Sequence, residues 1–164
     1  MTAALTWTDK TFAELTPHQL YAILQLRQAV FVVEQKCAYL DADGCDAMAR
    51  HLCGHDGVGL VAYARLVPAG IKHAEPSIGR VLIVERARGT GVGKALMRNA
   101  VARMGSLFAG APIVLGAQAH LQRFYAEFGF EVFGEPYDED GIPHINMRRD
   151  LPMSPESLSQ KLPG

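Results

Sequence analysis

The sequence has few cysteines, little net charge and no long hydrophobic run. Only 3 of its 164 residues are cysteine, and its formal net charge is -1. Three cysteines are too few for a disulfide-stapled scaffold, and a balanced charge gives no general attraction for nucleic acid or an anionic membrane. An uncharged stretch from Met104 to Ala119 is interrupted by glycine and proline, so it is too short and irregular to span a bilayer. We therefore expect neither nucleic acid nor a membrane as a partner.

The start of the sequence, MTAALTWTDK, lacks the basic segment and apolar segment of a secretory signal. Cys37, Cys45 and Cys53 are odd in number, which in a chain without a signal favours reduced thiols and a cytoplasmic location. A zinc site formed by these cysteines and His51 is an alternative. Their spacing contains no C-x-x-C pair, however, and we expect no metal.

The composition fits one globular domain. Hydrophobic residues make up 49% of the chain, which is too much for a disordered protein. We predict a single domain over residues 1–150. The tail over residues 151–164, LPMSPESLSQKLPG, has three prolines and no periodicity, so we expect it to be flexible.

Hydrophobic periodicity predicts an alternation of strands and helices. Residues 5–12 alternate as in a strand, and Thr16-Pro17 predicts the start of a helix that runs to about Glu34, with Arg27 interrupting its apolar stripe. An acidic loop follows, and residues 135–143 form a second loop near the end. Further strands are predicted over residues 50–54, 59–67, 77–84, 113–115, 130–134 and 144–149, and further helices over residues 91–104 and 119–128. This order is typical of an α/β (α+β) fold with a mixed sheet.

A glycine-rich loop over residues 88–93, RGTGVG, connects a buried strand to a helix. Glycines at alternate positions let successive N–H groups converge without interference from a Cβ atom, and a helix N-terminus adds partial positive charge. Such a nest predicts a phosphate or pyrophosphate site. A Walker A loop would need glycine in place of Arg88 and serine or threonine in place of Ala95, and no G-x-G-x-x-G fingerprint is present. A tight turn with a solvated basic face is the alternative.

Tyr125 lies on the apolar stripe of the last predicted helix, which ends at Gly129. On its own it is most simply interpreted as a core tyrosine with a satisfied hydroxyl. R-x-x-G-x-G after a buried strand, followed by Y-x-x-x-G-F from Tyr125, resembles the GNAT superfamily of acyl-coenzyme A dependent N-acyltransferases. The order of elements over residues 5–150 resembles that fold, a mostly antiparallel central sheet flanked by helices. Three segments resemble the ElaA-type branch: LRQAVFVVEQ at 26–35, the acidic loop before Arg50-His51-Leu52, and DGIPHINMRR at 140–149.

The resemblance implies a reaction and a set of site residues. An acetyl group would pass from acetyl-CoA to a primary amine by direct attack in a ternary complex, and Tyr125 would be the general acid to the leaving thiolate. Gln118 stands where family members often carry asparagine and could reach the cofactor. Leu121 stands where they often carry alanine. The residues implied to hold the pyrophosphate are Arg88, Gly89, Gly91, Val92, Gly93 and Lys94, and those implied to pair with the pantetheine amides are Leu82, Ile83 and Val84.

The acceptor side is less defined by the sequence. A protonated amine must lose a proton before it attacks, and we hypothesise that Glu34 takes it, directly or through water. The histidines that could do so instead are His51, His120 and His144. Two acidic runs favour a cationic acceptor such as a lysyl side chain or a polyamine. They comprise Glu34, Asp41, Asp43 and Asp46, and then Glu131, Glu135, Asp138, Glu139 and Asp140.

We therefore expect a small-molecule or peptide amine as the acceptor, and a homodimer is a further expectation. Two other classes of function remain open at this point. One is a module that senses acyl-CoA without turnover, and the other is an interaction protein that uses the fold as a dimer scaffold.

Overall fold

The computed structural model describes residues 4–150, so the predicted tail over residues 151–164 lies outside the described residues. One seven-stranded sheet has the order β1-β2-β3-β4-β5-β7-β6, in which only the β4–β5 pair is parallel. The strands are β1 Thr6–Thr11, β2 Arg50–His55, β3 Leu60–Val67, β4 Ser77–Ile83, β5 Ile113–Gln118, β6 Glu131–Glu139 and β7 Ile142–Arg149. The predicted mixed, mostly antiparallel sheet is confirmed.

The first helix, α1, spans Pro17–Arg27 and begins where the sequence predicts. The Thr16 hydroxyl accepts a hydrogen bond from the Gln19 backbone at 3.1 Å, and the Gln19 side chain accepts one from the Thr16 backbone at 3.0 Å. This reciprocal capping box satisfies two otherwise unpaired donors. The chain does not remain α-helical to Glu34, because Gln28–Glu34 forms a π-helical segment. Such widened turns occur often at functional sites.

Helices cover both faces of the sheet. α2 spans Val92–Leu107 and α3 spans Gln122–Ala126, after a short 3-10 turn at Ala119–Leu121. Leu96, Met97, Ala100 and Met104 of α2 are fully buried in the main core. A smaller apolar cluster joins α1 and the π-helical segment to the other face of the sheet. Its buried members are Ile23, Val30, Cys53, Tyr63 and Leu82.

The prediction of a loop over residues 135–143 is wrong. β6 and β7 continue into a tight hairpin, in which Glu139 pairs with Ile142 across a two-residue turn. Asp140 and Gly141 have φ angles of 52° and 82°, as an Asp-Gly turn of this kind requires. The acidic composition indicated a loop, but the Asp-Gly pair was the stronger local signal of a hairpin.

β4 and β5 separate soon after they meet. Their register contains one pair, Ser77 with Val114, and the Val114 N–H donates to the Pro76 carbonyl at 3.0 Å. Further along β4, the residues between Gly79 and Leu82 form a bulge against β3, and Arg80 has a φ of 51°. A bulge bends its strand, and this one lies on the part of β4 that has separated from β5 while remaining paired with β3. The separation leaves one backbone edge of β4 free to pair with an added chain.

Candidate functional site

A cavity of about 690 Å³ lies where β4 and β5 separate. It brings together residues that are far apart in the sequence. Glu34, Gln118 and Tyr125 line it with Leu82 and Ile83 of β4. From the glycine loop, Arg88, Gly89 and Gly93 reach its wall, whereas Gly91, Val92 and Lys94 do not. Val84, which directly follows β4, does not reach it either.

The glycine loop has the geometry that an anion requires. Gly89 and Gly91 have φ angles of +75° and +89°, and a Cβ atom at either position would meet nothing within 4 Å. Gly91 is the N-cap of α2, and no side chain among residues 4–150 caps this helix end. The first backbone N–H groups of this 16-residue helix therefore lack a side-chain acceptor. They lie at the helix end where the dipole places its partial positive charge.

Basic side chains around the loop are paired with carboxylates. Arg88 donates to both oxygens of Glu34, at 2.6 and 3.0 Å, and its Nε donates to the Ile83 carbonyl at 3.0 Å. Lys94 lies 2.9 Å from a carboxylate oxygen of Glu127. Both ion pairs are about half exposed, so each contributes little to stability and an incoming anion can replace the carboxylate.

The Arg88 pair also determines the chemistry of Glu34. Hydrogen bonds from Arg88 hold the pKa of the Glu34 carboxyl below its ordinary value. A carboxylate with a lowered pKa is a weak base. That Glu34 accepts the proton of the amine stays a prediction. The contact that the structure shows for Glu34 is with Arg88, the residue expected to meet the pyrophosphate.

Tyr125 is buried at the wall of the cavity. Its ring packs edge to face against Phe124 and Phe130, with centroids 5.2 and 6.4 Å away. Burial raises the pKa of Tyr125 to about 12, with no other contribution. The hydroxyl therefore keeps its proton throughout the pH range in which enzymes are assayed.

Comparison with known proteins identifies the family. A family model described as an acetyltransferase (GNAT) domain matches residues 43–151. The chain belongs to the GNAT acetyltransferase family. Protein ElaA of Escherichia coli is 48% identical over 147 residues, which cover 88% of this chain and 96% of ElaA.

Solved structures agree with this GNAT assignment. An acyl-CoA N-acyltransferase from Pseudomonas aeruginosa matches with a TM-score of 0.85 and 46% identity, over 89% of this chain and 99% of that one. The crystal structure of E. coli ElaA gives the same TM-score and identity, over 90% of this chain and all (100%) of that one. A GNAT acetyltransferase from Elizabethkingia anophelis with acetyl-CoA bound matches with a TM-score of 0.60 and 17% identity over 90% and 98% of the two chains, and so shares the fold. The ElaA-type resemblance is confirmed.

The first acidic run of this GNAT domain is occupied by arginines. Asp41 and Asp46 accept hydrogen bonds from Arg27 at 2.8 and 2.6 Å, and both oxygens of Asp43 accept from Arg65 at 2.7 Å. Arg80 and Lys72 add further contacts to Asp43. These aspartates therefore present no free negative charge to an acceptor. Of the second run, Glu139 and Asp140 line the cavity.

The candidate histidines occupy different places. His51 is fully buried, with its ring nitrogens 2.7 Å from the Tyr63 hydroxyl and 2.9 Å from the Asp46 carbonyl, so it holds structure together and is not at the cavity. His120 and His144 both line the cavity. No group of three or more His, Cys, Asp or Glu among residues 4–150 could hold a metal ion, and the alternative of a zinc site is not formed there. Within the same range, no helix is long and apolar enough to cross a membrane.

Sequence reasoning missed two contributors to the site. Tyr137 lines the cavity from β6, in the segment that was predicted to be a loop. Gln35 accepts a hydrogen bond from Gln118 at 3.3 Å and so connects the π-helical segment to the end of β5. The Asp-Gly turn signal could have found Tyr137, but nothing local in the sequence indicates the Gln35 contact.

Proposed function

We propose that this GNAT protein is an N-acyltransferase that transfers an acetyl group from acetyl-CoA to a primary amine by direct attack in a ternary complex. The observation that carries the proposal is one cavity that joins an uncapped helix N-terminus, a free strand edge and a buried tyrosine. An acetyl-CoA complex of a protein with the same fold supports the choice of co-substrate.

The residues present fit coenzyme A. Backbone N–H groups of the glycine loop and the start of α2, from Gly89 to Lys94, would bind the pyrophosphate, with Arg88 beside them. The edge of β4 that faces away from β3, at Leu82 and Ile83, would pair with the pantetheine amides together with Val84 just after the strand, as a strand pairs with an added peptide. Arg88 would then release the Ile83 carbonyl. Gln118 offers a side-chain amide at the end of β5.

When bound, acetyl-CoA supplies a thioester whose carbonyl carbon accepts the amine. Tyr125 lines the cavity with a hydroxyl that holds its proton, and it would be the general acid to the leaving sulfur. Because the pKa of Tyr125 is about 12 and that of a thiol is about 8.5, Tyr125 first stabilises the thiolate as a hydrogen-bond donor. Its proton moves only as negative charge builds on sulfur. Packing of the Tyr125 ring against Phe124 and Phe130 holds the hydroxyl in place for this step.

The acceptor of the proposal is a small-molecule or peptide primary amine. A preference for a cationic amine now depends on Glu139 and Asp140 of the hairpin, because the aspartates of the first run are paired with arginines. A homodimer stays a prediction, and the outer edge of β6 is a surface through which two copies could meet.

The proposal is tested first by ligand-induced stabilisation. Acetyl-CoA at 100 times its Kd is expected to stabilise the protein by about 2.7 kcal/mol, visible as a rise in Tm of several degrees. Gly91→Ala is expected to lose at least about tenfold in affinity, because a Cβ at this positive-φ position enters the space that the pyrophosphate would occupy. The measurement is thermal unfolding with acetyl-CoA, CoA and NAD, followed by thiol release with a panel of amines.

Gly110→Ala is the matched control. Gly110 has a φ of +81° and, like Gly91, open space where a Cβ would be, but it follows the C-terminal end of α2 and is not part of the glycine loop at its N-terminus. Both variants are expected to lose similar stability without ligand, and only Gly91→Ala to lose the stabilisation by acetyl-CoA. Absence of any shift with acetyl-CoA in the native protein would contradict the proposal. A shift without turnover of any amine would favour the sensing module.

The variant Glu34→Gln distinguishes a role of Glu34 as the partner of Arg88 from a role as the proton acceptor for the amine. Because Arg88 is then free to meet the pyrophosphate, we expect the Kd of acetyl-CoA to fall about twofold to fivefold, within the strength of an exposed ion pair. The kcat is expected to change little if the carboxylate acts only on Arg88. The measurement is calorimetric binding together with steady-state kinetics.

The Arg88→Gln background provides the control for this prediction. In that background Glu34→Gln should leave the Kd of acetyl-CoA unchanged, since the partner is absent. A large loss of kcat in Glu34→Gln, with an unchanged Kd, would instead show that Glu34 takes the amine proton.

A further inference from the structure

The β6–β7 hairpin brings a well-oriented histidine into the cavity wall. The side chain of His144 is 12% exposed and lines the cavity. Its Nδ1 lies 2.7 Å from the Ile142 carbonyl, and its Nε2 lies 3.3 Å from a carboxylate oxygen of Glu139. A carbonyl can only accept a hydrogen bond, so Nδ1 carries a hydrogen. Nε2 is therefore the nitrogen that gains or loses a proton.

Neighbouring side chains hold this ring in place. The Tyr137 ring stacks on the His144 ring, with centroids 5.7 Å apart and planes 29° apart. The Tyr137 hydroxyl donates to Asn146 Oδ1 at 3.1 Å, and it would lie 2.7 Å from a Cβ atom at position 116. Only glycine at that position of β5 lets Tyr137 lie so close. The ring orientation is thus fixed before any substrate arrives.

The position of His144 fits the acceptor side of the reaction. His144 is the cross-strand partner of Gln118, and both line the cavity with Tyr125. Asp140 in the turn lines the same cavity, and its carbonyl accepts a hydrogen bond from the Cys37 thiol at 3.6 Å. The charged group in contact with His144 is Glu139 on β6. From β5, which contains no titratable residue, His144 pairs with Gln118. A nearby carboxylate stabilises the imidazolium that forms when the ring accepts a proton.

We propose, on the basis of the function proposed above, that His144 is the proton acceptor for the amine and that Glu139 is its positioning residue. His144 Nε2 takes one proton from the ammonium of the acceptor. The nitrogen lone pair so released forms the N–C bond to the thioester carbonyl, and the C–S bond breaks with its electron pair leaving on sulfur. Tyr125 donates its proton to that sulfur. The amide nitrogen loses its surplus proton to water, His144 releases its proton to solvent, and water returns one to Tyr125.

The test compares acceptors that do and do not need deprotonation. His144→Gln keeps an amide of similar reach but removes the base. With lysine or spermidine, which are ammonium ions at neutral pH, it is expected to lower kcat/KM by about 100-fold. With hydroxylamine, which is already unprotonated at pH 7, the loss is expected to stay within about threefold, because the first proton transfer is not required.

Three measurements make the result decisive. His18→Gln, an exposed histidine on α1, is the control for a change of residue type and should behave as the native protein does. Glu139→Gln should lower kcat/KM for lysine and spermidine moderately and leave the reaction of hydroxylamine almost unchanged, because only the ammonium acceptors form an imidazolium that needs the carboxylate. Acetyl-CoA stabilisation should be the same in all three variants and in the native protein, which shows that each is folded.

The outcomes separate this inference from the proposed function. Equal losses with hydroxylamine and with the ammonium acceptors would show that His144 is structural and overturn the inference alone, as would full activity of His144→Gln. No turnover of any amine by the native protein would overturn the proposed function and the inference together. A selective loss with the ammonium acceptors supports both.

Discussion

Replacing Tyr125 by phenylalanine is expected to lower kcat by about 100-fold, the effect of removing one general acid. The Kd of acetyl-CoA should stay within about twofold, because the hydroxyl acts on the sulfur only when the C–S bond breaks. The ring still fills its place against Phe124 and Phe130, so the fold is preserved. The measurement is steady-state thiol release together with calorimetric binding of acetyl-CoA.

The Tyr125 prediction has a control and a pH signature. Tyr21 on α1 is 71% exposed, so Tyr21→Phe should leave kcat unchanged. Because burial raises the pKa of Tyr125 to about 12, its ionisation should produce no loss of activity up to about pH 10. Full kcat in Tyr125→Phe would show that water or the amine supplies the proton instead, and would remove Tyr125 from the mechanism.

Local signals in the sequence predicted the elements on which the site is built. Thr16-Pro17 begins α1, and alternate glycines after a buried strand begin α2, because capping and positive φ depend on a few neighbouring residues. The position of Tyr125 on the apolar stripe predicted its burial. These features need no knowledge of distant parts of the chain.

Contacts between distant residues could not be predicted in this way. Arg27 interrupts the apolar stripe of α1 and would ordinarily face solvent, yet it is fully buried. Its carboxylate partners are 14 and 19 residues away, and the Glu34 partner of Arg88 is 54 residues away. The sequence predicts that the acidic loop attracts a cationic acceptor amine. The arginines that neutralise it come from α1, β3 and β4, which approach one another only in the folded sheet.

Removing Arg27 is expected to be the most destabilising of these substitutions. Arg27→Ala should lower the free energy of unfolding by about 3 kcal/mol, since Asp41 and Asp46 keep Arg80 and Arg65 but lose their buried hydrogen bonds to Arg27. Arg27 is 0% exposed, and the side chains of Asp41 and Asp46 are 4% and 13% exposed. The measurement is urea unfolding. Arg148→Ala, which removes two exposed ion pairs, with Glu75 and Asp150, is the control and should change stability by less than about 0.5 kcal/mol.

The Arg27 contribution should also depend on pH. Burial raises the pKa of Asp46, but hydrogen bonds and charge from Arg27 and Arg65 outweigh this and hold that pKa below its ordinary value. A carboxyl with a lowered folded-state pKa stabilises the protein above its unfolded pKa of about 3.9, and this stabilisation is lost as pH falls through the folded value. The native protein should therefore lose stability below about pH 4. Arg27→Ala should lose less over the same interval, because the Asp46 pKa then lies closer to its unfolded value. Equal acid sensitivity of the two proteins would show that Arg65 alone keeps Asp46 ionised.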